Sequence, residues 1–195
     1  MIINQQTKKE AYKKLPFFIS YFISDPSIFN NINSIFKKYN PNIVCFRDKE
    51  TADIEPLAKN FIEIARKENI GLVLINTHID LAIKYNYDGV HLTSNQFEDI
   101  KKAKENKLFT MISCHIEDEI ILAKKLGADA ITYSPIFDTP NKGESKGIAK
   151  LKDMVDKYQD NHFKIIALGG IIDENHTEKI KQTKAYGFAS IRYFS

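Results

Sequence analysis

The chain has 195 residues, 43% of them hydrophobic, and its 28 basic and 25 acidic residues give a formal net charge of +3. A chain of this length buries one full core, so we expect a single domain over residues 1–195. The nearly even charge, with lysines scattered along helix faces, argues against binding to nucleic acids or to a membrane surface.

Eight short apolar runs alternate with amphipathic segments along the chain. The runs are nearly continuous rather than alternating, which is typical of strands buried on both faces of a parallel sheet. The segments between them have helical spacing; in residues 52–69 the apolar residues recur every three or four positions. The predicted strands are residues 17–24, 42–46, 71–75, 88–92, 109–113, 129–134, 164–168 and 186–191.

Eight strands with helices between them predict an α/β fold, a compact closed (β/α)8 TIM barrel. The sequence ends at Ser195, a few residues after the last predicted strand, so we expect the last helix of such a barrel to be missing. A flavodoxin-like open sheet is the alternative, but that fold usually has five strands.

Polar residues follow most of the predicted strands, at the carboxyl ends where TIM barrels place their active sites. Gly169 and Gly170 come after the seventh strand, and backbone N–H groups in such a turn favour an anion. A ligand with one or more phosphate groups is therefore predicted. The cations expected at the same mouth are Arg47, Lys49, Lys142 and Arg192.

Other chemistry has less support in the sequence. His91 lies inside an apolar run, which is more typical of a hydrogen-bonded core histidine than of a general base. No histidine pair or carboxylate cluster has metal-binding spacing. A triad of Ser113, His115 and Asp129 is conceivable, but no G-x-S-x-G motif accompanies it.

Several segments, in order, are similar to the thiamine phosphate synthase and thiazole tautomerase family of barrels. The most distinctive is "GADAITYSPIFDTPNKG" (127–143), and the similarity extends from residue 21 to residue 191. "CFRDK" resembles the family's glutamine-x-arginine-acid-lysine motif, and "ISCH" its serine-x-histidine. The other matching segments are "FISD" (22–25), "INTHIDLA" (75–82), "DGVHL" (88–92) and "IALGGI" (166–171).

The resemblance implies an enzyme of thiamine biosynthesis that joins hydroxymethylpyrimidine diphosphate to thiazole phosphate and releases pyrophosphate. It implies that Ser113 lies near the reacting carbon and that Asn76 orients the pyrimidine or the diphosphate. Ser113 and Lys142 are the expected catalytic residues. The residues expected to bind substrate or phosphate are Arg47, Lys49, Asn76, Thr139, Asn141, Gly169, Gly170 and Arg192.

The chain also departs from the family pattern. Thr77 and Gln96 stand where the synthase has the two aspartates that hold Mg²⁺, so we expect no protein metal site, and Mg²⁺ only together with a diphosphate substrate. Cys45 replaces the usual glutamine, and Arg192 a small residue. Pro135 stands where the tautomerase has a proton-transferring histidine. A tautomerase-like enzyme and a non-catalytic phosphate-binding barrel therefore remain alternatives to the synthase.

The expected setting is the cytoplasm. Cys45 and Cys114 lie in separate apolar runs without zinc-finger spacing, so buried free thiols are predicted. The sequence shows no signal peptide, and its longest clear apolar run, residues 70–75, is too short for a membrane helix. Without a last helix, aromatic residues of the first and last strands would face water, which suggests a homodimer or a covering helix over residues 6–15. These aromatic residues are Phe17, Phe18, Tyr21, Phe22, Tyr193 and Phe194.

Overall fold

The computed structural model describes residues 15–28, 31–140 and 142–195. Eight parallel strands, each hydrogen-bonded to the next, form a closed barrel, and β8 pairs with β1. The predicted TIM barrel is confirmed, and the open sheet is excluded. The strands are β1 Ile19–Ile23, β2 Ile43–Phe46, β3 Leu72–Asn76, β4 Gly89–Leu92, β5 Phe109–Cys114, β6 Ala130–Tyr133, β7 Lys164–Leu168 and β8 Gly187–Ser190.

Seven α-helices among the described residues connect the strands and cover the outside of the barrel. Two begin with side-chain caps: Asn31 accepts a hydrogen bond from the backbone N–H of Ser34, and Asp173 from that of His176. The helices are α1 Ile32–Tyr39, α2 Glu55–Lys67, α3 Ile79–Lys84, α4 Asp99–Glu105, α5 Glu117–Lys125, α6 Gly147–Tyr158 and α7 Glu174–Lys181. None of the described helices is long and apolar enough to cross a membrane.

The strands bury both of their faces, which explains the continuous apolar runs in the sequence. Alternate residues point into the barrel, where Tyr21, Cys45 and Leu74 belong to an interior cluster. The other residues, such as Phe22 and Val44, pack outward against the helices. Both cysteines are buried free thiols, as predicted.

A short 3-10 helix, Arg192–Phe194, follows β8 on the flank where a last helix would otherwise pack. The ring of Phe194 lies 5.3 Å from that of Phe22 and 5.4 Å from that of Tyr39, both edge to face. Phe22 and Phe194 are therefore buried, and Tyr21 points into the barrel. The prediction that these three aromatics face water is wrong, whereas Phe17 is fully exposed. The covering helix predicted over residues 6–15 lies outside the described residues, apart from Leu15.

Candidate active site

The carboxyl ends of the strands form one mouth, and three predicted site residues point towards its centre. Each lies two residues beyond a residue of the interior cluster, and side chains two apart on a strand share a face. Arg47 follows Cys45, Asn76 follows Leu74, and Ser113 follows Met111. The barrel therefore brings together Asn76 of β3, Ser113 of β5 and Arg47, which directly follows β2.

A chain of hydrogen bonds connects Ser113 to the middle of the barrel. The Tyr21 hydroxyl lies 2.7 Å from His91 Nδ1, and His91 Nε2 lies 3.1 Å from Ser113 Oγ and 3.3 Å from Thr132 Oγ1. Burial, with a smaller contribution from Arg47, lowers the pKa of His91 to about 4. His91 is therefore neutral at physiological pH, and the prediction of a hydrogen-bonded core histidine is confirmed.

Asn76 presents an acceptor to the mouth. Its side-chain amide nitrogen donates to the backbone carbonyl of His91 at 2.7 Å, which fixes the orientation of the amide because a carbonyl only accepts. The carboxamide oxygen is then the group left for a ligand.

Arg47 is held by a carboxylate from the neighbouring strand end. Its guanidinium lies 3.0 Å from Asp25, and its backbone N–H donates to the Ser24 hydroxyl at 2.8 Å. Burial would raise the pKa of Asp25, but hydrogen bonds from Ser27 and Arg47 outweigh it and hold that pKa below its usual value. Lys49 is exposed two residues further on.

The loop after β6 is anchored along the end of β7. The backbone N–H of Ile136 donates to Leu168 O at 2.9 Å, and that of Phe137 to Gly169 O at 3.1 Å. Gly169 and Gly170 have positive φ angles of 100° and 70°, and a Cβ on Gly170 would lie 2.6 Å from the carbonyl of Phe137. Only glycine therefore fits this contact without strain.

The glycine turn and the end of β8 offer donors to an anion. Among the described residues, the backbone N–H groups of Gly169, Gly170 and Ile191 donate no backbone hydrogen bond. Ser190 joins the two segments, since its hydroxyl donates to Ile171 O at 2.7 Å. Arg192 is exposed beside them and forms no ion pair within the part of the chain that the structure describes. Consecutive N–H groups and a guanidinium are typical of a phosphate site.

The tip of the loop after β6 contains the remaining predicted residues. The Thr139 hydroxyl donates to Phe137 O at 3.0 Å, and the backbone N–H of Lys142 donates to Thr139 O at 3.1 Å. The Lys142 side chain is exposed. Asn141 lies outside the described residues, so its predicted role stays a prediction.

Thr77 and Gln96 stand where the family resemblance implies metal-binding aspartates, and the two residues lie side by side. Gln96 Oε1 accepts from the backbone N–H and hydroxyl of Thr93, both at 3.1 Å, and its amide nitrogen lies 3.4 Å from Thr77 O. The Thr77 hydroxyl donates to Asn76 O. Their oxygens are thus engaged in local bonds, and within residues 15–28, 31–140 and 142–195 no group of three metal-binding side chains occurs. These residues do not fit Mg²⁺, which prefers carboxylates.

The conceivable serine triad is not assembled. Asp129 lies at the opposite, amino end of β6, where its carboxylate accepts from Thr110 N at 2.8 Å and pairs with Lys104. His115 instead contacts the backbone carbonyl of Ser134 through Nδ1, at 3.1 Å. Because the carbonyl accepts the Nδ1 hydrogen, Nε2 of a neutral His115 has a free lone pair.

Tyr21 and Thr132 also belong to the site, although neither was predicted there from the sequence. Both lie in apolar runs, and only their inward-facing register in the barrel brings them to His91. A tyrosine or threonine amid aliphatic residues was the available signal, because a buried hydroxyl requires a partner.

These features define a (β/α)8 barrel whose mouth presents exposed cations and backbone N–H donors. Residues 20–194 match the model of the family described as thiamine monophosphate synthase, and the chain belongs to that family. It is 35% identical over 171 residues to the protein named "Putative thiamine-phosphate synthase 2" of Aquifex aeolicus, covering 84% of this chain and 87% of that protein. It is 32% identical over 155 residues to the thiamine-phosphate synthase of Methanosarcina barkeri, covering 76% and 68% respectively.

Solved structures share the fold. The thiamine phosphate pyrophosphorylase from Pyrococcus furiosus superposes with a TM-score of 0.77 at 22% identity, covering 90% of this chain and 86% of that one.

Proposed function

We propose that this chain is a thiamine-phosphate synthase, which joins hydroxymethylpyrimidine diphosphate to thiazole phosphate and releases pyrophosphate. The observation that supports this best is the arrangement of cations and N–H donors around one barrel mouth, in a member of the thiamine monophosphate synthase family. Two phosphorylated substrates need two anion-binding regions, and the mouth offers one on the β2 side and one at β7 and β8.

The β2 side and the loop after β6 suit the diphosphate. When the bond between the pyrimidine methylene carbon and the diphosphate oxygen breaks, the oxygen keeps the electron pair and negative charge grows on the leaving group. Arg47, Lys49 and Lys142 stabilise that charge, with Thr139 and Asn141 as neighbouring polar contacts. Asp25 holds the Arg47 side chain in place, which reduces the reorganisation needed when the ligand binds.

The β7 and β8 ends suit the thiazole phosphate. The N–H groups of Gly169 and Gly170 and the guanidinium of Arg192 bind its phosphate group. This binding orients the thiazole so that its nitrogen lone pair forms the new bond to the pyrimidine methylene carbon. Closure of the loop after β6 keeps water from that carbon.

Any Mg²⁺ in this reaction enters bound to the diphosphate, as a part of the substrate. Thr77 and Gln96 offer the ion no charge, so the charged protein groups assigned to the diphosphate itself are the cations Arg47, Lys49 and Lys142. We place the reaction in the cytoplasm, with which two buried free thiols are compatible.

Two alternatives each have one observation in their favour. A tautomerase-like proton transfer needs a base near the sixth loop, and His115, whose Nε2 lone pair is free, lies against Ser134 beside Pro135. A phosphate-binding barrel without catalysis is favoured because the side chains of Thr77 and Gln96 hydrogen-bond to neighbouring residues and offer no carboxylate to a metal ion. Neither alternative requires a leaving diphosphate.

Calorimetric titration with hydroxymethylpyrimidine diphosphate tests the proposed diphosphate site. Arg47→Ala should weaken binding by about 1.5–3 kcal/mol, the range for hydrogen bonds to charged groups. Lys152→Ala, which removes an exposed cation paired with Asp156 on α6, should leave binding unchanged. Equal affinity of Arg47→Ala and the parent would contradict the assignment.

A further inference from the structure

The hydrogen-bonded side chains in the middle of the barrel need an explanation. Tyr21 and His91 are almost completely buried in the interior of the barrel, and Tyr21 lies among apolar residues there. Polar groups in such a place are costly unless each finds a partner. Here they form a connected path that ends at Ser113, at the mouth.

The direction of each hydrogen bond along this path depends on the tautomer of His91, and the acceptors that compete for the Tyr21 hydrogen favour one tautomer. The Cys45 thiol contacts both Tyr21 and the Phe46 carbonyl, and it donates to that carbonyl at 3.5 Å. The Tyr21 hydrogen then has two acceptors, the weakly accepting sulfur and the strongly accepting His91 Nδ1 at 2.7 Å. This difference in acceptor strength favours the tautomer in which Tyr21 donates to Nδ1.

The positions of the hydrogens on His91 and Ser113 follow from this tautomer. A neutral imidazole has one hydrogen, and with Nδ1 accepting, that hydrogen is on Nε2 and points to Ser113 Oγ. Thr132 also donates to Ser113 Oγ, at 3.4 Å. Ser113 thus accepts from two sides, and its own hydrogen is left without an acceptor among the described residues.

We propose that Tyr21 is a positioning residue that acts through His91 to fix Ser113 as a hydrogen-bond donor to an aromatic ring nitrogen of the ligand. This inference rests on the proposed function, which supplies an aminopyrimidine as the ligand. An aminopyrimidine offers ring nitrogens as acceptors and an amino group as a donor. The Asn76 carboxamide oxygen, left free by its bond to His91 O, is the matching acceptor for that amino group.

The tautomer of His91 is the first test, and it needs no ligand. In ¹⁵N NMR of the histidine-labelled parent, the hydrogen should be on Nε2, and Tyr21→Phe should shift the population towards Nδ1–H. A parent with its hydrogen on Nδ1 would overturn the proposal, because Ser113 would then donate to His91 instead of to the ligand. This measurement stays decisive even where a variant fails to fold.

Ligand analogues provide the functional test. The parent should bind hydroxymethylpyrimidine diphosphate up to about tenfold more tightly than the analogue in which the contacted ring nitrogen is C–H, the upper end of the usual contribution of one neutral hydrogen bond. Each ring nitrogen is replaced in turn. In Tyr21→Phe this preference should fall to about threefold or less, whereas His91→Gln, whose amide still donates to Ser113, should keep most of it.

Tyr87→Phe is the matched control. Tyr87 is equally buried, but its hydroxyl donates to Ala58 O on the outside of the barrel, so its loss should leave the preference unchanged. An equal preference in Tyr21→Phe and Tyr87→Phe would overturn the inference while the parent still binds and reacts. Failure of the proposed function is a different result, namely a parent that binds no hydroxymethylpyrimidine diphosphate.

Discussion

Single residues in the barrel interior determine which chemistry the mouth presents. His91 is neutral because burial lowers its pKa to about 4, so the relay proposed from Tyr21 to Ser113 transmits a hydrogen-bond direction rather than a charge. The adjoining thiol is inert for the same reason, since burial raises the pKa of Cys45 to about 12.

Four cations are predicted at the mouth from the sequence, whereas the groups that contact them are not. Arg47, Lys49, Lys142 and Arg192 were identified because they follow apolar runs, and strand ends meet at one face of a barrel. The partnership of Arg47 with Asp25 joins two strand ends 22 positions apart, which only the observed register establishes. The Tyr21–His91 contact, 70 positions apart, was unpredictable for the same reason.

The depressed pKa of His91 predicts how stability depends on pH. In the unfolded chain the histidine titrates near 6.5, so between pH 6.5 and 4 the unfolded state binds the proton more strongly. The contribution is fully present above pH 6.5 and is lost as pH falls towards 4, amounting to about 3 kcal/mol of unfolding free energy. Denaturant unfolding at several pH values measures it.

The variant His91→Gln should lack this part of the pH dependence, whatever its stability at neutral pH. His162→Gln, which changes an exposed histidine, should follow the curve of the parent. The assignment is wrong if the parent and His91→Gln lose stability in parallel over this range.

At the scale of elements, the loops contain most of the site. The apolar runs located all eight strands, although the first prediction, residues 17–24, was longer than the observed Ile19–Ile23. The loop after β6 was recognised from its composition, but its anchoring to Leu168 and Gly169 was not, since those contacts join different βα units.

A single methyl group added to the glycine pair after β7 should strongly reduce the stability of the fold. Gly170→Ala should destabilise the fold by at least about 2 kcal/mol, because the residue has positive φ and the new Cβ would overlap the Phe137 carbonyl. Gly143→Ala is the control, as a Cβ there would meet no atom within 4 Å. Thermal or denaturant unfolding measures both, and equal stability of the two variants would contradict the contact.

The β3–α3 and β4–α4 loops contain Thr77 and Gln96, and these two residues determine how we expect the protein to bind Mg²⁺. The parent without ligand should show no detectable Mg²⁺ binding at millimolar concentration, because Thr77 and Gln96 offer only neutral oxygens. Replacing both with Asp should create binding that calorimetry detects and should increase Mg²⁺-dependent product formation. Asn161→Asp adds an exposed carboxylate elsewhere and should not. Mg²⁺ binding by the ligand-free parent would show that another carboxylate holds the ion.

For the whole molecule, closure of the barrel places all eight strand ends around one mouth. Phe194 closes the flank of the barrel by packing against Phe22, Tyr39 and Phe188. The sequence suggested an exposed flank because it does not reveal which distant residues Phe194 packs against. The possible homodimer stays a prediction, which sedimentation at micromolar concentration would check.

Truncation of the Phe194 side chain measures how much its packing contributes to the free energy of unfolding. Phe194→Ala should lower the free energy of unfolding by about 3 kcal/mol, the usual cost of removing a buried phenyl ring. Phe17→Ala removes a fully exposed ring and should have an effect near zero. If the two variants have equal stability, the 3-10 helix does not close the flank as described.

The central claim, synthesis of thiamine phosphate at this mouth, is tested most directly by the stoichiometry of products. The parent is incubated with hydroxymethylpyrimidine diphosphate and thiazole phosphate in the presence of Mg²⁺, and both products are measured over time. The account predicts thiamine phosphate and pyrophosphate in equal amounts, at a rate that falls sharply in Arg47→Ala and is unchanged in Lys152→Ala. Tight binding of both ligands without either product would contradict it.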